Sequence, residues 1–504
     1  MTASLFSAIG GFALLMISFL PSCQNRSMSN ERDQGTEAYN VLFIAVDDWN
    51  DQVGCMGDKQ VITPNLDRLA AMGTLFTNAH CSAPICNPSR ASIFSGLLPS
   101  TTGIYNNAQP LFASHPDIVS LPRHFRKNGY WVEGGGKTYH EQIGFNNPDD
   151  WDFYFLWDES NRENGWWGNY SYPPAPQPDQ RPVQAITSLT KRNFDWAPLD
   201  IPDSWMPDYK VASWARYFLS RDHEKPFFLA PGIFKPHVPW FVPGEYFDLY
   251  PLENIQLPPY LESDLEDVPA TGVQWAKDGG SRHQKVMEMN LWEEAIQAYY
   301  ASITHSDKQV GRILDGLKSS SYSENTIIVL WSDHGYHLGE KDHWHKFTLW
   351  ERSTHVPLII VAPGLTKPGS VCEAPVSLLD LYPTLVDLCG LPVNPELEGH
   401  SLLPLLLDPE ASWEHVALTT HGKNNHAVRS KHFRYIRYAD GTEELYDHRT
   451  DPNEWENLAN EDTFNELISD LKGRIPAVNA EDGLHKTRDL SFDPSQYKWS
   501  RKSQ

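Results

Sequence analysis

The chain has 504 residues, of which 40% are hydrophobic and 21% are charged, and its formal net charge is -24 at pH 7. This length can bury a large core, so one large domain with a smaller one is a better expectation than several equal domains. The acidic balance argues against a general nucleic-acid-binding protein, because that activity needs spread lysine and arginine side chains. It does not exclude an anionic ligand, since a local cluster of cations can invert the potential inside one pocket.

The N-terminus predicts export. Residues 9–20 form an apolar run that is too short for a spanning helix and suits a signal peptide over residues 1–22. The stretch LPSC resembles a bacterial lipobox, so Cys23 is the candidate for lipid attachment. We expect contact with a membrane only through that lipid. Residues 23–38 then have the composition of a flexible tether. A plain secretory signal is the alternative, and both interpretations place the protein in the periplasm or on the membrane of a bacterium.

Four strand-like apolar runs are each followed by polar side chains. Helical patterns separate them at residues 63–76, 120–129, 291–318 and 377–390. This alternation predicts an α/β fold with a mostly parallel sheet flanked by helices, in which ligands bind beyond the carboxyl ends of the strands. We therefore expect these polar residues at one edge of the sheet: Asp47 and Asp48, Lys137 and His140, Lys235 and His237, and Asp333 and His334.

The pattern changes at about residue 411 to short alternating runs with turn residues such as Asp440-Gly441. Runs of this kind favour antiparallel hairpins. The sequence therefore predicts a catalytic domain over residues 39–410 and a smaller C-terminal subdomain with an antiparallel sheet over residues 411–504.

Asp47, Asp48 and Asp333 are three carboxylates at predicted strand ends. Hard oxygen ligands in that number suit calcium or magnesium. The alternative is that strand-end aspartates cap helices or turns. Two strands that deliver the same chemistry to one edge favour the metal site.

Several histidines and cations accompany these carboxylates. Zinc is a candidate for the histidines, but no pair within one segment has a standard zinc spacing, which favours acid/base work in an anion site. For His343 and His345, the alternative to a direct role in acid/base chemistry is a surface or supporting position. Lys137, Lys346 and Arg90 supply the positive charge that an anion and its transition state need. The histidines are His140, His237, His334, His337, His343 and His345.

Cys86 lies between two prolines in the stretch APICNPSRASIFSG and shortly before Arg90, in a place that does not suit a disulfide. The remaining cysteines allow three disulfide pairings or buried free thiols, which the sequence does not separate. They are Cys55, Cys81, Cys372 and Cys389.

Together these motifs resemble the type I, formylglycine-dependent sulfatase family, and within it the iduronate-2-sulfatase-like branch with its bacterial polysaccharide sulfatases. The signature Cys-x-Pro-x-Arg occupies residues 86–90. The supporting motifs are VDD at 46–48, GKTYH at 136–140, KPHVP at 235–239, SDHG at 332–335 and HVPLI at 355–359. The resemblance implies an alkaline-phosphatase-like fold and the hydrolysis of sulfate esters on a sugar of a sulfated polysaccharide or glycosaminoglycan-like glycan.

The resemblance also implies a cofactor and residue roles. A maturase would oxidise Cys86 to Cα-formylglycine, whose hydrate attacks sulfur in a calcium site formed with Asp47, Asp48, Asp333 and His334. Arg90 would hold the hydrate from one turn along a helix that begins near Pro88, and Lys137 and Lys346 would bind sulfate oxygens. His237 would protonate the leaving alcohol and His140 would take a proton from the second hydroxyl, with an exchange of these two roles left open.

Two other functions remain open at this stage. One is a phosphoesterase or phosphonate monoester hydrolase of the same superfamily, and the other is an inactive glycan-binding homologue. Substrate specificity is expected in the loops at residues 151–178 and 260–290. The tryptophan-rich first loop either stacks on sugars or braces a domain edge.

Overall fold

The structure is a computed structural model that describes residues 38–140, 144–155, 194–277 and 282–502. The described residues belong to one compact unit that begins at Ala38. Within these ranges no helix is long and apolar enough to cross a bilayer. The predicted signal peptide, Cys23 and residues 156–178 of the tryptophan-rich loop lie outside the described residues.

The described strands cover the runs that the sequence predicts and add several short ones. In chain order they are β1 (Asn40–Asp47), β2 (Thr74–Phe76), β3 (Ala79–His80), β4 (Trp131–Gly136), β5 (Phe153–Phe155), β6 (Trp196–Leu199), β7 (Phe227–Pro236), β8 (Trp240–Pro243), β9 (Thr326–Ser332), β10 (His337–Leu338), β11 (Trp344–His345), β12 (Leu358–Val361), β13 (Ser370–Cys372), β14 (Val376–Ser377), β15 (Ala417–Thr420), β16 (His426–Arg429), β17 (Phe433–Arg437), β18 (Glu443–Asp447), β19 (Leu490–Asp493) and β20 (Lys498–Arg501).

The described α-helices range from one turn to more than seven turns. They are α1 (Pro64–Ala70), α2 (Cys86–Ser95), α3 (Pro99–Thr102), α4 (Leu111–Ser114), α5 (Leu121–Lys127), α6 (Pro207–Leu219), α7 (Gly244–Phe247), α8 (Ala270–Lys277), α9 (Arg282–Glu288), α10 (Trp292–Lys318), α11 (Glu351–Thr354), α12 (Leu381–Cys389), α13 (Leu403–Leu407) and α14 (Asn465–Gly473).

An eight-stranded sheet in the order β13-β2-β12-β9-β1-β7-β4-β5 forms the centre of the molecule. The five strands from β9 to β5 all run parallel, and β12 is antiparallel to both of its neighbours. The predicted mostly parallel sheet is therefore confirmed. Because β9, β1, β7 and β4 are consecutive and parallel, all four predicted polar strand ends are neighbours at one edge.

The side chains of strand β1 show that the central sheet is buried on both faces. All eight of its residues are buried. Side chains alternate between the faces of a strand, and Leu42 and Ile44 pack in a different hydrophobic cluster from Val41 and Phe43. Helices α6 and α10 contribute to the first cluster, whereas α2, α5 and α12 contribute to the second.

The structure differs from the sequence pattern at two element boundaries. Residues 74–76 form β2 instead of the last turn of a helix, because they pair with β12 and β13 on either side. Gly73 precedes them, and a Cβ at this position would lie 2.3 Å from the carbonyl oxygen of Ile360. Helix α2 begins at Cys86 itself, before the expected start near Pro88.

The C-terminal part contains the expected antiparallel sheet, formed by β15 to β18 in sequential order. The domain boundary at residue 410 stays a prediction. The cysteine alternatives are resolved within the described residues, where all five cysteines are free thiols: Cys55, Cys81, Cys86, Cys372 and Cys389.

A buried ion cluster connects this antiparallel sheet to the segment that follows β11. The Arg434 side chain in β17 is fully buried and pairs with Glu351 and, at 2.6 Å, with Glu454. Arg429 in β16 reaches the same Glu351 carboxylate at 3.2 Å. These ion pairs hold the Glu351 carboxylate against the C-terminal sheet. Separating the two would leave uncompensated buried charges, so the position of Glu351 depends on that sheet.

We expect Arg434→Met to lower the free energy of unfolding by about 3–5 kcal/mol, since it leaves two buried carboxylates without their shared cation. Chemical denaturation followed by circular dichroism measures the change. The matched control is Arg437→Met on the same strand, whose side chain is 40% exposed and lies 3.9 Å from its carboxylate partner. The control is expected to cost less than about 1 kcal/mol. Equal losses in the two variants would contradict the role given to the buried cluster.

Candidate active site

The site begins where β1 and β9 end side by side. The buried Asp47 ends β1 and the buried Asp48 follows it, while the buried Asp333 and His334 follow β9. Asp48 has a φ of 67°, a left-handed conformation that is uncommon outside glycine. The backbone N–H of Asp48 donates to Asp333 Oδ1 at 3.3 Å. Two distant parts of the sequence thus place three carboxylates together.

Cys86 is the first residue of α2 and points at this group of carboxylates. Its buried Sγ lies 3.7 Å from Asp47 Oδ1, 3.2 Å from His334 Nε2 and 3.1 Å from Lys346 Nζ. Burial, with the nearby Asp47 carboxylate, raises the pKa of the Cys86 thiol. An unmodified thiol is therefore a poor source of thiolate here, although the amide groups of the helix N-terminus suit an anion.

Three buried cations surround the carboxylates. Arg90 Nε donates to Asp333 Oδ2 at 2.9 Å, and its guanidinium lies over the Trp331 ring with 5.4 Å to the centroid. Lys137 Nζ lies 2.8 Å from Asp47 Oδ2, and Lys346 Nζ lies 2.5 Å from Asp48 Oδ1.

Eight of the ten residues that the sequence predicts for the site are linked by these direct contacts. The eight are Asp47, Asp48, Cys86, Arg90, Lys137, Asp333, His334 and Lys346.

The donor set fits a divalent cation. Ligand atoms of Asp47, Asp48, Cys86 and His334 all lie within 4.8 Å of one another, and Asp333 Oδ2 lies 3.5 Å from His334 Nε2. Asp48 Oδ2 is buried and accepts no hydrogen bond from the described residues. A buried carboxylate oxygen of this kind has the chemistry of a ligand for a hard cation.

The electrostatics of the carboxylates lead to the same conclusion. Burial raises the pKa of Asp48, and the charges of Asp47 and Asp333 add to this rise against the opposing Lys346. Burial also raises the pKa of Asp333, against the opposing charge of Arg90. For Asp47, the effect of burial is outweighed by cations, Lys137 foremost, and the pKa is held well below its usual range. The lysines and the arginine therefore do not fully neutralise the three carboxylates. A further positive charge would favour their ionised forms.

The other two predicted site residues, His237 and His140, lie near this group. His237 is half-buried, and its Nδ1 lies 2.7 Å from the Val238 carbonyl oxygen, which fixes the ring. Burial and the charge of Lys346 lower the pKa of His237 well below its usual value. Burial and the charge of Lys137 do the same for His140. Both imidazoles respond to the charges of the site, and a bound anion would raise both pKa values.

Two of the remaining histidines support the segment that carries Lys346. His343 is buried, and its ring nitrogens lie 2.9 Å from the Ala276 carbonyl and 2.8 Å from the Lys346 carbonyl. His345 is also buried, and its ring stacks on Phe347 with 4.8 Å between centroids. A supporting position is therefore correct for both, and the surface alternative is wrong because each ring is packed.

The sequence interpretation misses one residue of the site and places another, Lys235, at this edge of the sheet without giving it a role. Ser89, inside the signature, donates to the Asp333 carbonyl at 2.6 Å and joins α2 to the end of β9. Lys235 is buried and donates to the carbonyl oxygens of His237, at 3.4 Å, and of Pro239. Its place at a strand end was a signal, but only the structure shows that its ammonium group braces the loop that carries His237.

Comparisons with known proteins cover most of the chain. A model of the sulfatase family matches residues 39–391, and a model of the C-terminal part of N-sulphoglucosamine sulphohydrolase matches residues 339–481. A sulfatase of Formosa agariphila is 41% identical over 496 residues, covering 93% of this chain and 92% of that protein. Iduronate 2-sulfatase of Homo sapiens is 31% identical to this chain, and the match covers 82% of this chain and 77% of that protein.

Among solved structures, one described as a complex with its substrate D-glucosamine-2-N,6-O-disulfate matches with a TM-score of 0.68 at 22% identity. The match covers 87% of this chain and 96% of that chain, and it shows a shared fold.

We expect a divalent cation to stabilise the protein after treatment with a chelator. Binding to the folded state alone adds about 2.7 kcal/mol at a concentration of 100 times Kd. The melting temperature, measured with and without added calcium or magnesium, tests this without reference to activity. Asp48→Asn removes one charged ligand and should abolish most of the shift. Asp315→Asn, at an exposed position on α10, is the control that should keep it. No shift in the unmutated protein would contradict the metal site.

Proposed function

The chain belongs to the sulfatase family and is a sulfuric ester hydrolase, and from that premise we propose that it removes O-sulfate groups from a sugar of a sulfated polysaccharide or glycosaminoglycan-like glycan. The observation that carries this proposal is the position of Cys86, whose side chain lies between a carboxylate cluster and Lys346. The similarity to an iduronate sulfatase, and to a structure that holds a sulfated glucosamine, supports a sugar sulfate as the substrate.

Two further groups belong to the proposal. Residue 86 is converted by a maturase from cysteine to Cα-formylglycine, whose hydrated aldehyde supplies the hydroxyl that attacks sulfur. Asp47, Asp48, Asp333 and His334 would hold calcium together with residue 86, and the ion would supply positive charge that lowers the pKa of a hydroxyl of residue 86. The cluster of buried ligand atoms and the unpartnered Asp48 oxygen support this assignment.

The cations of the chain bind and orient the reacting groups. Arg90, one turn into α2 and fixed by Asp333, holds the side chain of residue 86 in position. Lys137 and Lys346 donate hydrogen bonds to sulfate oxygens, where negative charge is held during the reaction. Each lysine pairs with an aspartate in this structure, and a cation held by the same aspartates would take over that neutralisation.

The two histidines move protons. His237 donates a proton to the oxygen of the leaving alcohol, because a sugar alkoxide is a poor leaving group without one. His140 accepts a proton from the second hydroxyl of residue 86. Negative charge on the bound sulfate counteracts the lysines that lower the pKa of His237, and so favours its protonated form.

The proposal includes export from a bacterial cytoplasm, to the periplasm or to a membrane through a lipid on Cys23. The apolar run at residues 9–20 and the LPSC stretch support it. A catalytic domain over residues 39–410, with a C-terminal subdomain after it, is part of the same proposal.

The reaction class is tested with matched esters on one preparation. We expect glucose 6-sulfate to have a kcat/KM at least about tenfold above that of glucose 6-phosphate, a difference of ~1.4 kcal/mol in the transition state. Release of inorganic sulfate and phosphate is measured directly. A preference for the phosphate, or for a phosphonate monoester, would replace the proposal by the phosphoesterase alternative. No release of sulfate from any sugar sulfate would favour the inactive glycan-binding alternative.

The acid role of His237 is tested with two leaving groups. His237→Ala should slow sulfate release from glucose 6-sulfate by about 10²–10⁴-fold, the usual size of general acid catalysis. Turnover of 4-nitrophenyl sulfate should fall much less, because nitrophenolate leaves without a proton. The control is His432→Ala, at an exposed position, which should change neither rate. An equal loss with both substrates would contradict the assignment.

A further inference from the structure

The imidazole ring of His237 is held in one orientation by the backbone next to it. Its Nδ1 lies 2.7 Å from the Val238 carbonyl oxygen. A carbonyl oxygen can only accept a hydrogen bond, so Nδ1 carries the hydrogen of this contact. Nε2 is therefore the ring nitrogen left to exchange a proton with a substrate, and it stays so only while the Val238 carbonyl keeps its direction.

Lys235 fixes the carbonyl groups on both sides of Val238. Its ammonium group donates to the carbonyl of His237 at 3.4 Å and to the carbonyl of Pro239. Lys235 is only 3% exposed, so these carbonyls take the place of water as acceptors for its charge. Because the carbonyls before and after Val238 both contact one buried cation, the direction of the Val238 carbonyl between them depends on Lys235.

Two further buried side chains fix the ends of this segment. The Trp240 indole N–H donates to the Pro236 carbonyl at 2.6 Å. Asp208, in the first turn of α6, accepts from the backbone N–H of Phe234 at 2.8 Å and from that of Lys235 at 3.0 Å, with one carboxylate oxygen for each. The end of β7 is therefore fixed to α6, and the Lys235 side chain starts from a fixed backbone.

Asp208 also supports the charge of Lys235. Burial lowers the pKa of Lys235 to about 7, and Asp208 is the largest charge that opposes this effect. Burial raises the pKa of Asp208 to about 6, against its two backbone hydrogen bonds and the charge of Lys235. A buried lysine costs free energy that an apolar side chain would not. What the ammonium group adds at this position is its pair of contacts with the segment that carries His237.

We propose that Lys235 is a positioning residue that acts through His237, because it keeps the Val238 carbonyl on Nδ1 and so keeps Nε2 as the atom that gives a proton to the leaving oxygen. This inference rests on the proposed function. In the proton transfer, the Nε2–H bond breaks, the O–H bond of the alcohol forms, and the other hydrogen stays on Nδ1. The neutral ring then needs no rearrangement. The alternative is a purely structural role, in which Lys235 only stabilises the folded segment.

Two leaving groups separate these roles. Lys235→Met removes the ammonium group from an unbranched side chain. We expect kcat for glucose 6-sulfate to fall about 10–100-fold with KM within about threefold, because a displaced acid affects the chemical step more than binding. For 4-nitrophenyl sulfate, kcat should fall less than about threefold, because nitrophenolate leaves without a proton. Equal falls with both esters, or no fall with glucose 6-sulfate, would overturn the inference.

A double-mutant cycle shows whether Lys235 acts through His237. His237→Ala protein has no ring to orient, so adding Lys235→Met should slow glucose 6-sulfate by less than about twofold more. A further fall as large as that caused by Lys235→Met alone would overturn the inference. Lys225→Met is the matched control, because it removes an exposed lysine just before the same strand. It should leave both rates within about twofold.

The tautomer of His237 is also measurable without turnover. In protein labelled with ¹⁵N-histidine, His237→Ala identifies the signals of this ring, and their chemical shifts show which nitrogen carries the hydrogen of the neutral form. We expect Nδ1 in the unmutated protein and a mixture of both tautomers in Lys235→Met. Nδ1 alone in both proteins would overturn the inference.

Asp208→Asn replaces Lys235→Met in each comparison if the latter does not fold, as judged by circular dichroism. Its amide group faces a backbone N–H where the carboxylate has an oxygen, so the same selective loss with glucose 6-sulfate is expected, and equal effects on both esters would overturn the inference. A failure of the proposed function shows differently, as an absence of sulfate release from every ester by the unmutated protein. The tautomer measurement then decides the inference by itself.

Discussion

The burial of Asp47, Asp48 and Asp333 in one cluster is the constraint on which the rest of the site depends. Three carboxylates are buried together, and taking each charge out of water costs several kcal/mol. Each is met by a buried cation at 2.9 Å or less. Even so, the pKa values of Asp48 and Asp333 are raised, chiefly by burial. In the proposed function, a metal ion would remove this imbalance and leave the same lysines able to bind a sulfate, so the ion and the substrate would belong to one electrostatic arrangement.

The fold produces this arrangement through the parallel sheet. The ends of β1 and β9 are adjacent because the two strands pair in register from Asn40 to Val46. Helix α2 then places Cys86 at the same edge, held by Ser89 on the Asp333 carbonyl. Lys346 comes from an irregular segment, and the buried cluster around Glu351 ties the next part of that segment to the C-terminal sheet. The position of the lysine therefore depends on the C-terminal part of the chain as well as on the central sheet.

The meeting of the carboxylates could be predicted from the sequence, because parallel strands end at the same edge and each run stops on acidic residues. The supporting contacts could not. Whether His343 is buried depends on the Ala276 and Lys346 carbonyls, which no local pattern reveals. Residues 74–76 have no strand signal apart from the partners on either side. Residues 480–502 carry no recognised motif, and their contacts with Gly144 follow only from the tertiary structure.

The central claim is that residue 86 works as an oxidised cysteine in a cation-rich pocket. Its most direct test is the mass of the tryptic peptide of residues 69–90, from protein made in its native host. We expect a peptide in which sulfur at residue 86 is replaced by oxygen and two hydrogens are lost, while Cys81 in the same peptide still reacts as a thiol. A peptide with both thiols intact, in a preparation that releases sulfate at full rate, would contradict it.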